Sequence, residues 1–278
     1  MNKSLNLLTL ILPLLIGYLI VDYEIENDDW IYIFDGESLD GWEGDPAYWR
    51  VEDEKIVGEV TAENLLDRNS FLIWRDGIVR DFELKVEYRV SGRGNSGINY
   101  RSQEVNVAGR KGAELTPWSF WEDPEDYIGG APYALIGYQA DIIGYETDKE
   151  IPGVDTGMNY EERRRTTLAV RGEKALLPSI SDANQRDKYI SRNQWSARII
   201  QESFGDSDSL FKHINEGWNE YHIIAKGNHL KHYVNGVLMS YTIDEDPINS
   251  RLEGLLGVQV HVGPPMKIEY RNFRIRHL

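Results

Sequence analysis

Three stretches of the sequence carry two polar residues two positions apart within an apolar strand pattern. The pairs are Asn99 and Arg101 in NSGINYRS, Gln139 and Asp141 in IGYQADII, and Gln259 and His261 in LLGVQVHV. Because successive side chains of a strand point to opposite faces, both members of a pair lie on one face. If the three strands belong to one sheet, the polar residues line a common surface.

Short amides, a carboxylate, a guanidinium and an imidazole are suited to directional hydrogen bonding, and the imidazole also to proton transfer near neutral pH. An ordinary solvated sheet face is the alternative interpretation, because antiparallel sheets often have one wet face. Such faces are usually rich in Lys, Glu and Thr, which are absent from these pairs. We therefore expect a functional surface.

The surrounding sequence has the alternation of an all-β protein. YWRVEDEKIVGEV predicts a hairpin, DFELKVEYRV a strand, and WNEYHIIAKGNHLKHYVNGVLMSYTI three strands separated by Gly-Asn and Asn-Gly turns. A C-terminal pair of strands is predicted over 257–262 and 266–276. This spacing favours a sandwich of antiparallel sheets. The polar segment 176–215, in which Asp206 or Ser207 could cap a short helix, is interpreted as a partly helical insertion.

Composition limits the partners and the chemistry. The chain has 278 residues, a formal charge of −16 and no cysteine. The negative charge disfavours nucleic acid and anionic membrane surfaces as partners. Without cysteine there are no disulfides, thiolate metal sites or cysteine nucleophiles. The length suits one large all-β domain, and the sequence shows neither a repeat nor a second domain.

The first residues, MNKSLNLLTLILPLLIGYLIVDYE, have the pattern of an export signal. Lys3 precedes a nearly continuous apolar run over 7–21, which is short for a membrane span and typical of a signal peptide. No small-x-small cleavage site follows, so an uncleaved anchor is the alternative. We expect a signal peptide or N-terminal anchor over 1–21, a folded domain over 30–278, and an extracytoplasmic location, periplasmic or secreted. Any membrane contact would be through an uncleaved leader.

Several motifs in a fixed order resemble one known family. IFDGESLDGWEGD, YWRVEDEKIVGE, NSGINYRS, GYQADI, WNEYHIIAKGNHLKHYVNGVLMSYTID and GVQVHVGPPMKIEYRNFRIRHL together resemble the 3-keto-disaccharide hydrolase family over 30–278. The resemblance implies a concanavalin A-like jelly-roll sandwich, export in bacteria, and action on glycosides oxidised at the sugar C3. TGMNYEERRRTTLAVRGE resembles a segment found in a subset of the family, from which this chain departs at Met158 or Asn159 and at Arg164.

The substrate that this resemblance implies has an acidic hydrogen on C2, beside the C3 carbonyl. A general base would remove it, an oxyanion donor or metal ion would stabilise the enolate, and the aglycone would leave C1 by elimination, with water able to add afterwards. Laminarinase-like glycosidases instead carry a Glu-x-Asp-x-x-Glu strand. Here the corresponding ends are Gln139 and Gly144, so a retaining double displacement at this strand is disfavoured.

Five residues are predicted as catalytic candidates. His261 is a candidate base or metal ligand, and Asp141 is a candidate base or ligand, or else a plain polar-face residue. Arg101 could stabilise the enolate, with an ion pair to a surface acid as the alternative. Glu161 or Glu162 could supply the base if His261 binds metal; otherwise they pair with one of the arginines at 163–165.

Six further residues are predicted to bind substrate: Asn99, Gln139, Gln259, Tyr160, Trp118 and Trp121. The amides and Tyr160 would contact sugar hydroxyls. Trp118 and Trp121 lie in the loop-like stretch ELTPWSFWEDPEDYIGG, where aromatic rings could stack on a sugar or could plug the end of the sandwich.

Cofactor and function both keep alternatives open. Asp141 and His261, with Glu161 or Glu162, could bind a divalent ion such as calcium or zinc, although no ligand spacing in the sequence identifies such a site. The enzyme interpretation predicts cleavage of 3-keto glycosides. The alternative is a non-catalytic, lectin-like carbohydrate-binding module with the same fold and surface. A weaker third interpretation is a structural module of a larger surface assembly.

Overall fold

The computed structural model describes residues 29–66, 68–104, 133–151, 153–162, 164–185 and 197–278. Within them the strands are β1 Ile31–Tyr32, β2 Trp42–Glu43, β3 Trp49–Glu52, β4 Lys55–Val60, β5 Ser70–Val79, β6 Phe82–Val90, β7 Asn95–Glu104, β8 Leu135–Ile143, β9 Asn159–Glu162, β10 Thr166–Ala169, β11 Glu173–Leu177, β12 Ile199–Ser203, β13 Asn219–Lys226, β14 His229–Val234, β15 Val237–Asp244, β16 Gly254–Val260 and β17 Met266–His277. Two short helices are α1 Tyr145–Glu150 and α2 Ser207–Phe211.

The strands form two sheets. One is ten-stranded, in the order β12-β11-β15-β14-β13-β6-β17-β4-β3 with β1 beside β17, and the other is seven-stranded, in the order β10-β9-β8-β7-β16-β5-β2. Every strand pairing is antiparallel except that of β11 with β15, among the strands described. The predicted all-β, concanavalin A-like jelly-roll sandwich of two antiparallel sheets is confirmed.

A single apolar layer joins the sheets, because alternate residues of each strand point inward. In β6, Phe82, Leu84 and Val86 are fully buried, and in β16 Leu256 and Val258 are fully buried from the opposite side. These residues belong to one hydrophobic cluster. Burial of apolar surface on this scale is the main source of stability, since about 25 cal/mol is gained for each Å² removed from water.

The predicted local elements are largely found. The hairpin β3–β4 and the β13–β14–β15 meander are present, and Asp206 caps α2 by accepting a hydrogen bond from the Ser209 backbone N–H at 2.8 Å. The final two strands are not paired with each other, because β16 lies in the seven-stranded sheet and β17 in the ten-stranded one. The turn after β16 therefore crosses between the two layers.

The predicted leader over 1–21 lies outside the described residues. None of the helices in the described part of the chain is long and apolar enough to cross a membrane.

Candidate active site

The outer face of the seven-stranded sheet gathers most of the predicted polar residues. Register places Asn99 beside Gln139, Gln139 beside Tyr160, and Gly97 beside Asp141, so their side chains share the face turned away from the core. Gln259 lies on the neighbouring strand β16, two residues from Gly257, which pairs with Asn99. We call this surface the polar face: Asn69, Asn99, Gln139, Asp141, Tyr160, Glu162 and Gln259.

Two carboxyl groups on the polar face accept hydrogen bonds from amides. Gln139 Nε2 donates to Asp141 Oδ1 at 2.7 Å. Glu162 accepts from Asn69 Nδ2 at 3.3 Å and from Gln259 Nε2 at 3.2 Å. Asn69 Oδ1 in turn accepts from the Val262 backbone N–H at 2.9 Å, which ties the end of β16 to the start of β5. Each carboxyl group is thus fixed in orientation by neutral side chains.

The amides of the polar face are buried without complete hydrogen bonding. Asn99 and Gln259 are fully buried and Gln139 is 3% exposed. Four of their atoms have no hydrogen-bond partner within the described part of the chain: Asn99 Nδ2, Asn99 Oδ1, Gln139 Oε1 and Gln259 Oε1. A buried polar atom left unpaired costs about 1–3 kcal/mol. Four such atoms on one sheet face indicate a site that a polar ligand completes.

Asp141 is the titratable group that this environment perturbs most clearly on the polar face. Burial raises the pKa of the Asp141 carboxyl well above its usual range. The hydrogen bond from Gln139 opposes that rise, and the negative charges of Glu162 and Asp155 add to it. A carboxylate with a raised pKa is a stronger base than an exposed one, and perturbed groups in a buried polar site are candidates for proton transfer.

Arg101 does not lie on the polar face, and the expectation that it shares a face with Asn99 is wrong. The register of β7 with β8 shifts after Tyr100, and Arg101 has a φ of 47°. This β-bulge turns the fully buried Arg101 side chain toward other elements. The guanidinium donates to the carbonyl oxygens of Arg80 (2.7 Å) and Gly227 (2.6 Å) and to Asp81 Oδ1 (3.0 Å). The predicted alternative, an ion pair with an acid, is the arrangement found.

Glu161 also lies away from the polar face, since it neighbours Glu162 on β9 and points into the sandwich. Glu161 is fully buried and forms an ion pair with Arg165 at 2.5 Å. Arg165 also pairs with Asp244 at 2.7 Å. The predicted pairing of these glutamates with the nearby arginines therefore holds for Glu161. Glu162 points to the opposite side, toward the amides of Asn69 and Gln259.

His261 lies one residue beyond the end of β16, at the rim of the polar face. Its Nδ1 contacts the carbonyl oxygen of Val262. The Val262 N–H bonds to Asn69, which in turn bonds to Glu162, so His261 is connected to the polar face through the main chain. Whether its imidazole takes part in chemistry stays a prediction.

Two further predictions concern the aromatic loop and a metal. Trp118 and Trp121 lie outside the described residues. Within the described ranges no three His, Asp or Glu side chains lie close enough together to hold a metal ion. Asp141 and His261 therefore do not form a metal site with the other described residues alone, and a requirement for a divalent ion stays a prediction.

Asn69 is a residue of the polar face that the sequence pattern does not predict. It lies in the continuous polar run DRNS at 67–70, which leads into the apolar part of β5, so no alternation of polar and apolar residues marks it. Polar runs before a buried strand are common among proteins and do not identify a site.

A second concave region lies on the other sheet. This cleft of about 680 Å³ is lined by Trp218, Arg89 and Arg271, together with acidic residues such as Asp53 and Glu54. Both arginines stack on Trp218 and are paired with glutamates. No lining side chain of this cleft, among those described, has a buried polar atom without a partner. The polar face differs from this cleft because its buried carboxyl groups lie beside amide atoms that lack partners among the described residues.

The fold and the polar face together define a β-sandwich protein with buried amides and carboxyl groups on one sheet face. The family model for the 3-keto-alpha-glucoside-1,2-lyase-like domain matches residues 29–276. A 3-keto-disaccharide hydrolase of Bacteroides thetaiotaomicron is 33% identical over 212 residues, which cover 71% of this chain and 72% of that protein. The chain belongs to the 3-keto-alpha-glucoside-1,2-lyase-like family.

Solved structures of two other proteins are more distantly similar. A carbohydrate-binding module of Bacillus subtilis is 14% identical with a TM-score of 0.42, over 85% of this chain and 95% of that one. A β-glucanase of Bacillus licheniformis is 10% identical with a TM-score of 0.41, over 90% of this chain and 97% of that one.

Proposed function

We propose that this protein cleaves glycosides that are already oxidised at C3 of the sugar, by removing the C2 proton and eliminating the aglycone from C1. The observation that carries the proposal is the position of Asp141. Its buried carboxyl lies on the same sheet face as four unpartnered amide atoms and is oriented by Gln139 at 2.7 Å. The family membership and the name of the Bacteroides relative support the same reaction.

The reaction needs a base beside C2. Asp141 takes the C2 proton, and the electrons of the C2–H bond form the C2=C3 double bond of an enolate whose charge rests on O3. The C3 carbonyl then re-forms, the C1=C2 double bond forms, and the C1–O bond breaks toward the aglycone. Burial suits Asp141 to this role because the raised pKa of its carboxyl strengthens it as a base.

The aglycone oxygen must gain a proton as it leaves. Glu162 is the second carboxyl of the polar face, and its orientation is set by Asn69 and Gln259. We assign it the role of delivering that proton, which requires that Glu162 is protonated while Asp141 is ionised when the substrate is bound. His261, at the rim, is the alternative group for either proton transfer. Addition of water to the resulting enone would convert elimination into net hydrolysis.

Binding of the sugar hydroxyls falls to the amides. Gln139 Oε1 and Gln259 Oε1 are buried acceptors without partners, and their nitrogens are engaged with Asp141 and Glu162. Sugar hydroxyls that donate to these oxygens would fix the ring relative to both carboxyls. Tyr160 lies beside Gln139 on the next strand and extends this surface.

A lectin-like module that binds sugar without turnover is the competing function. The unpartnered amides fit binding alone equally well. They give no role to the raised pKa of the Asp141 carboxyl, which proton removal uses and binding alone does not need. Asp141 is therefore the residue that separates the two functions.

The test compares a chromogenic 3-keto-glucoside with its unoxidised parent. The wild-type protein is expected to release the chromophore from the keto compound alone. Asp141→Asn is expected to lower kcat by about 10²–10⁴-fold, the usual contribution of a general base, while still binding the substrate. The exposed Asp40→Asn provides the matched control and should keep full activity. Binding without turnover by the wild-type protein would favour the lectin.

The same assay tests the predictions for metal and for His261. A requirement for calcium or zinc would appear as activity lost on dialysis against a chelator and regained with the ion. An activity that survives chelation would remove the metal hypothesis. His261→Ala should lower kcat if the imidazole transfers a proton, and should leave it unchanged if Asp141 and Glu162 suffice.

Export is a separate part of the proposal and rests on the leader. A periplasmic or secreted enzyme would meet an oxidised glycoside outside the cytoplasm. Fractionation of cells that express the full chain would show whether it leaves the cytoplasm and whether the leader is removed.

A further inference from the structure

The polar face must supply a hydrogen-bond donor to the enolate oxygen, and the structure removes Arg101 from that role. The guanidinium of Arg101 is occupied by the carbonyl oxygens of Arg80 and Gly227 and by Asp81. A donor at O3 is still required by the proposed reaction, because the negative charge develops there as C2 loses its proton. Unless a metal ion fills this role, another N–H of the polar face meets the oxygen.

The amide nitrogens of the polar face are almost all engaged. Gln139 Nε2 donates to Asp141, and both Gln259 Nε2 and Asn69 Nδ2 donate to Glu162. Asn99 is different, since its nitrogen and its oxygen are both buried and both without partners. Whichever way the amide is turned, Asn99 offers one free donor and one free acceptor.

The unpartnered polar atoms of the polar face indicate which hydrogen-bonding groups a ligand would need. The face presents three unpartnered acceptors, on Asn99, Gln139 and Gln259, and one unpartnered donor, on Asn99. A hydroxyl group can satisfy an acceptor by donating its proton. A carbonyl oxygen has no proton and needs a donor. Several hydroxyls with one carbonyl oxygen would therefore complete the face, which is the pattern of a sugar ring with one position oxidised.

The place of Asn99 in the sheet suits a fixed donor. It lies on β7, in the interior of the seven-stranded sheet, and pairs with Gln139 on one side and with Gly257 on the other. The side chain is fully buried, so its rotation is restricted. Preorganised donors of this kind stabilise developing charge without reorganisation.

We propose that Asn99 donates its side-chain N–H to the C3 carbonyl oxygen of the substrate and stabilises the enolate that forms when Asp141 removes the C2 proton. The inference rests on the proposed function and adds to it the residue that selects for the oxidised sugar. The contact would favour a keto sugar over its parent, because a carbonyl oxygen only accepts and gains negative charge during the reaction, whereas a C3 hydroxyl gains none.

The test uses a 3-keto C-glycoside, whose C1 substituent cannot leave, and its unoxidised parent. Exchange of the C2 hydrogen for solvent deuterium reports proton removal alone, and calorimetry reports the preference for the keto compound. Asn99→Ala, and the isosteric Asn99→Asp, are expected to slow exchange by about 10²–10³-fold and to abolish the preference. Asn228→Asp, in the turn between β13 and β14, makes the same change far from the face and should do neither.

Wild-type exchange rates in Asn99→Ala, with the preference for the keto compound intact, would overturn the assignment. A wild-type protein that neither exchanges nor cleaves any 3-keto glycoside would instead overturn the proposed function. In that case the calorimetric preference still decides the assignment: a preference lost in Asn99→Ala supports it, and a wild-type protein without any preference refutes it.

Discussion

The side chain of Gln139 lies directly over Gly97 on the neighbouring strand. A Cβ atom at position 97 would lie 2.5 Å from Gln139 Cγ and 2.6 Å from Cδ, closer than carbon atoms can approach. Gly97 also pairs in register with Asp141, the carboxyl that Gln139 contacts. The absence of a side chain at position 97 is thus what allows Gln139 to reach Asp141.

Gly97→Ala is therefore expected to displace Gln139 and lower kcat by about 10²-fold, as a misplaced positioning group does, and also to raise KM, because Gln139 is proposed to bind a sugar hydroxyl. Steady-state kinetics on the 3-keto-glucoside measures this. Gly217→Ala, where an added Cβ meets no atom within 4 Å, is the matched control. The effect should be absent when Gln139→Ala is already present, and a full additional loss in that background would contradict the explanation.

The raised pKa of Asp141 predicts a pH dependence of activity. The reaction needs the ionised carboxylate, so kcat/KM should rise with pH through a range above that of an ordinary aspartate. The pH profile of the wild-type protein between about pH 4 and 9 checks this. An acidic limb centred on the normal range of an exposed carboxyl would show that burial does not act on the base.

The raised pKa of Asp141 also predicts that the stability of the folded protein depends on pH. Because the folded-state pKa of Asp141 is raised, the native protein holds a proton that the unfolded chain releases, and stability falls as pH rises through that interval. Asp141→Asn should therefore raise Tm at pH 7 by about 2–4 °C, the shift that about 1 kcal/mol produces in a domain of this size. The gain should vanish below about pH 4, where the unfolded chain also holds the proton. An equal gain at both pH values would point to another cause.

Arg101 should act on stability and not on chemistry. Arg101→Met removes the donor of the Arg80 and Gly227 carbonyl oxygens and of the Asp81 carboxylate, and is expected to lower the free energy of unfolding by about 1–3 kcal/mol. Urea unfolding measures the loss, and KM and kcat of the folded protein should remain those of the wild type. Arg80→Met, whose exposed guanidinium pairs with Glu253 at the surface, should cost far less. A large loss of kcat without loss of stability would restore Arg101 as a catalytic candidate.

His232 is expected to account for part of the loss of folding stability at low pH. Burial lowers the pKa of His232 to about 3, opposed by its contacts with the Met158 and Gly157 backbone, and its Nε2 contacts the Tyr100 hydroxyl at 2.9 Å. In the unfolded chain this histidine binds a proton near pH 6.5, whereas in the folded protein it stays neutral down to about pH 3. The free energy of unfolding is therefore unaffected by His232 above about pH 6.5 and decreases as pH falls from 6.5 toward 3.

His232→Gln is expected to reduce the slope of the unfolding free energy against pH between about 6.5 and 3. The reduction is at most the slope that a difference of one bound proton produces. Urea unfolding at several pH values measures it. His229, on the same strand but exposed, provides the matched comparison as His229→Gln. Unchanged slopes in His232→Gln would show that another group controls the acid limb.

Sequence periodicity predicts much of the fold and part of the site. Asn99, Gln139, Asp141 and Gln259 are found together because strands with a clean apolar face must turn the intervening residues outward. The same rule fails for Arg101, since a bulge at that residue breaks the alternation and nothing in the local sequence marks it. Asn69 is also missed, because its contact with Glu162 joins residues 93 positions apart.

Glu161 and Glu162 show a different limit. Adjacent residues of one strand cannot share a face, so only one of them could join the polar surface. The identity of that residue depends on the register of β9 against β8, where Gly137 pairs with Glu162. Register of this kind follows from packing of the whole sheet and is not contained in the few residues around the motif.

Because Glu161 and Glu162 point to opposite faces of β9, the alignment of this strand limits how the protein could be redesigned. A slip of β9 by one residue would turn every side chain of the strand to the opposite face, so Glu161 would lose Arg165 and Glu162 would lose Asn69 and Gln259. Stability and turnover would be lost in the same step. New specificities should therefore be sought by altering the loops that border the sheet, with this strand left unchanged in length and alignment.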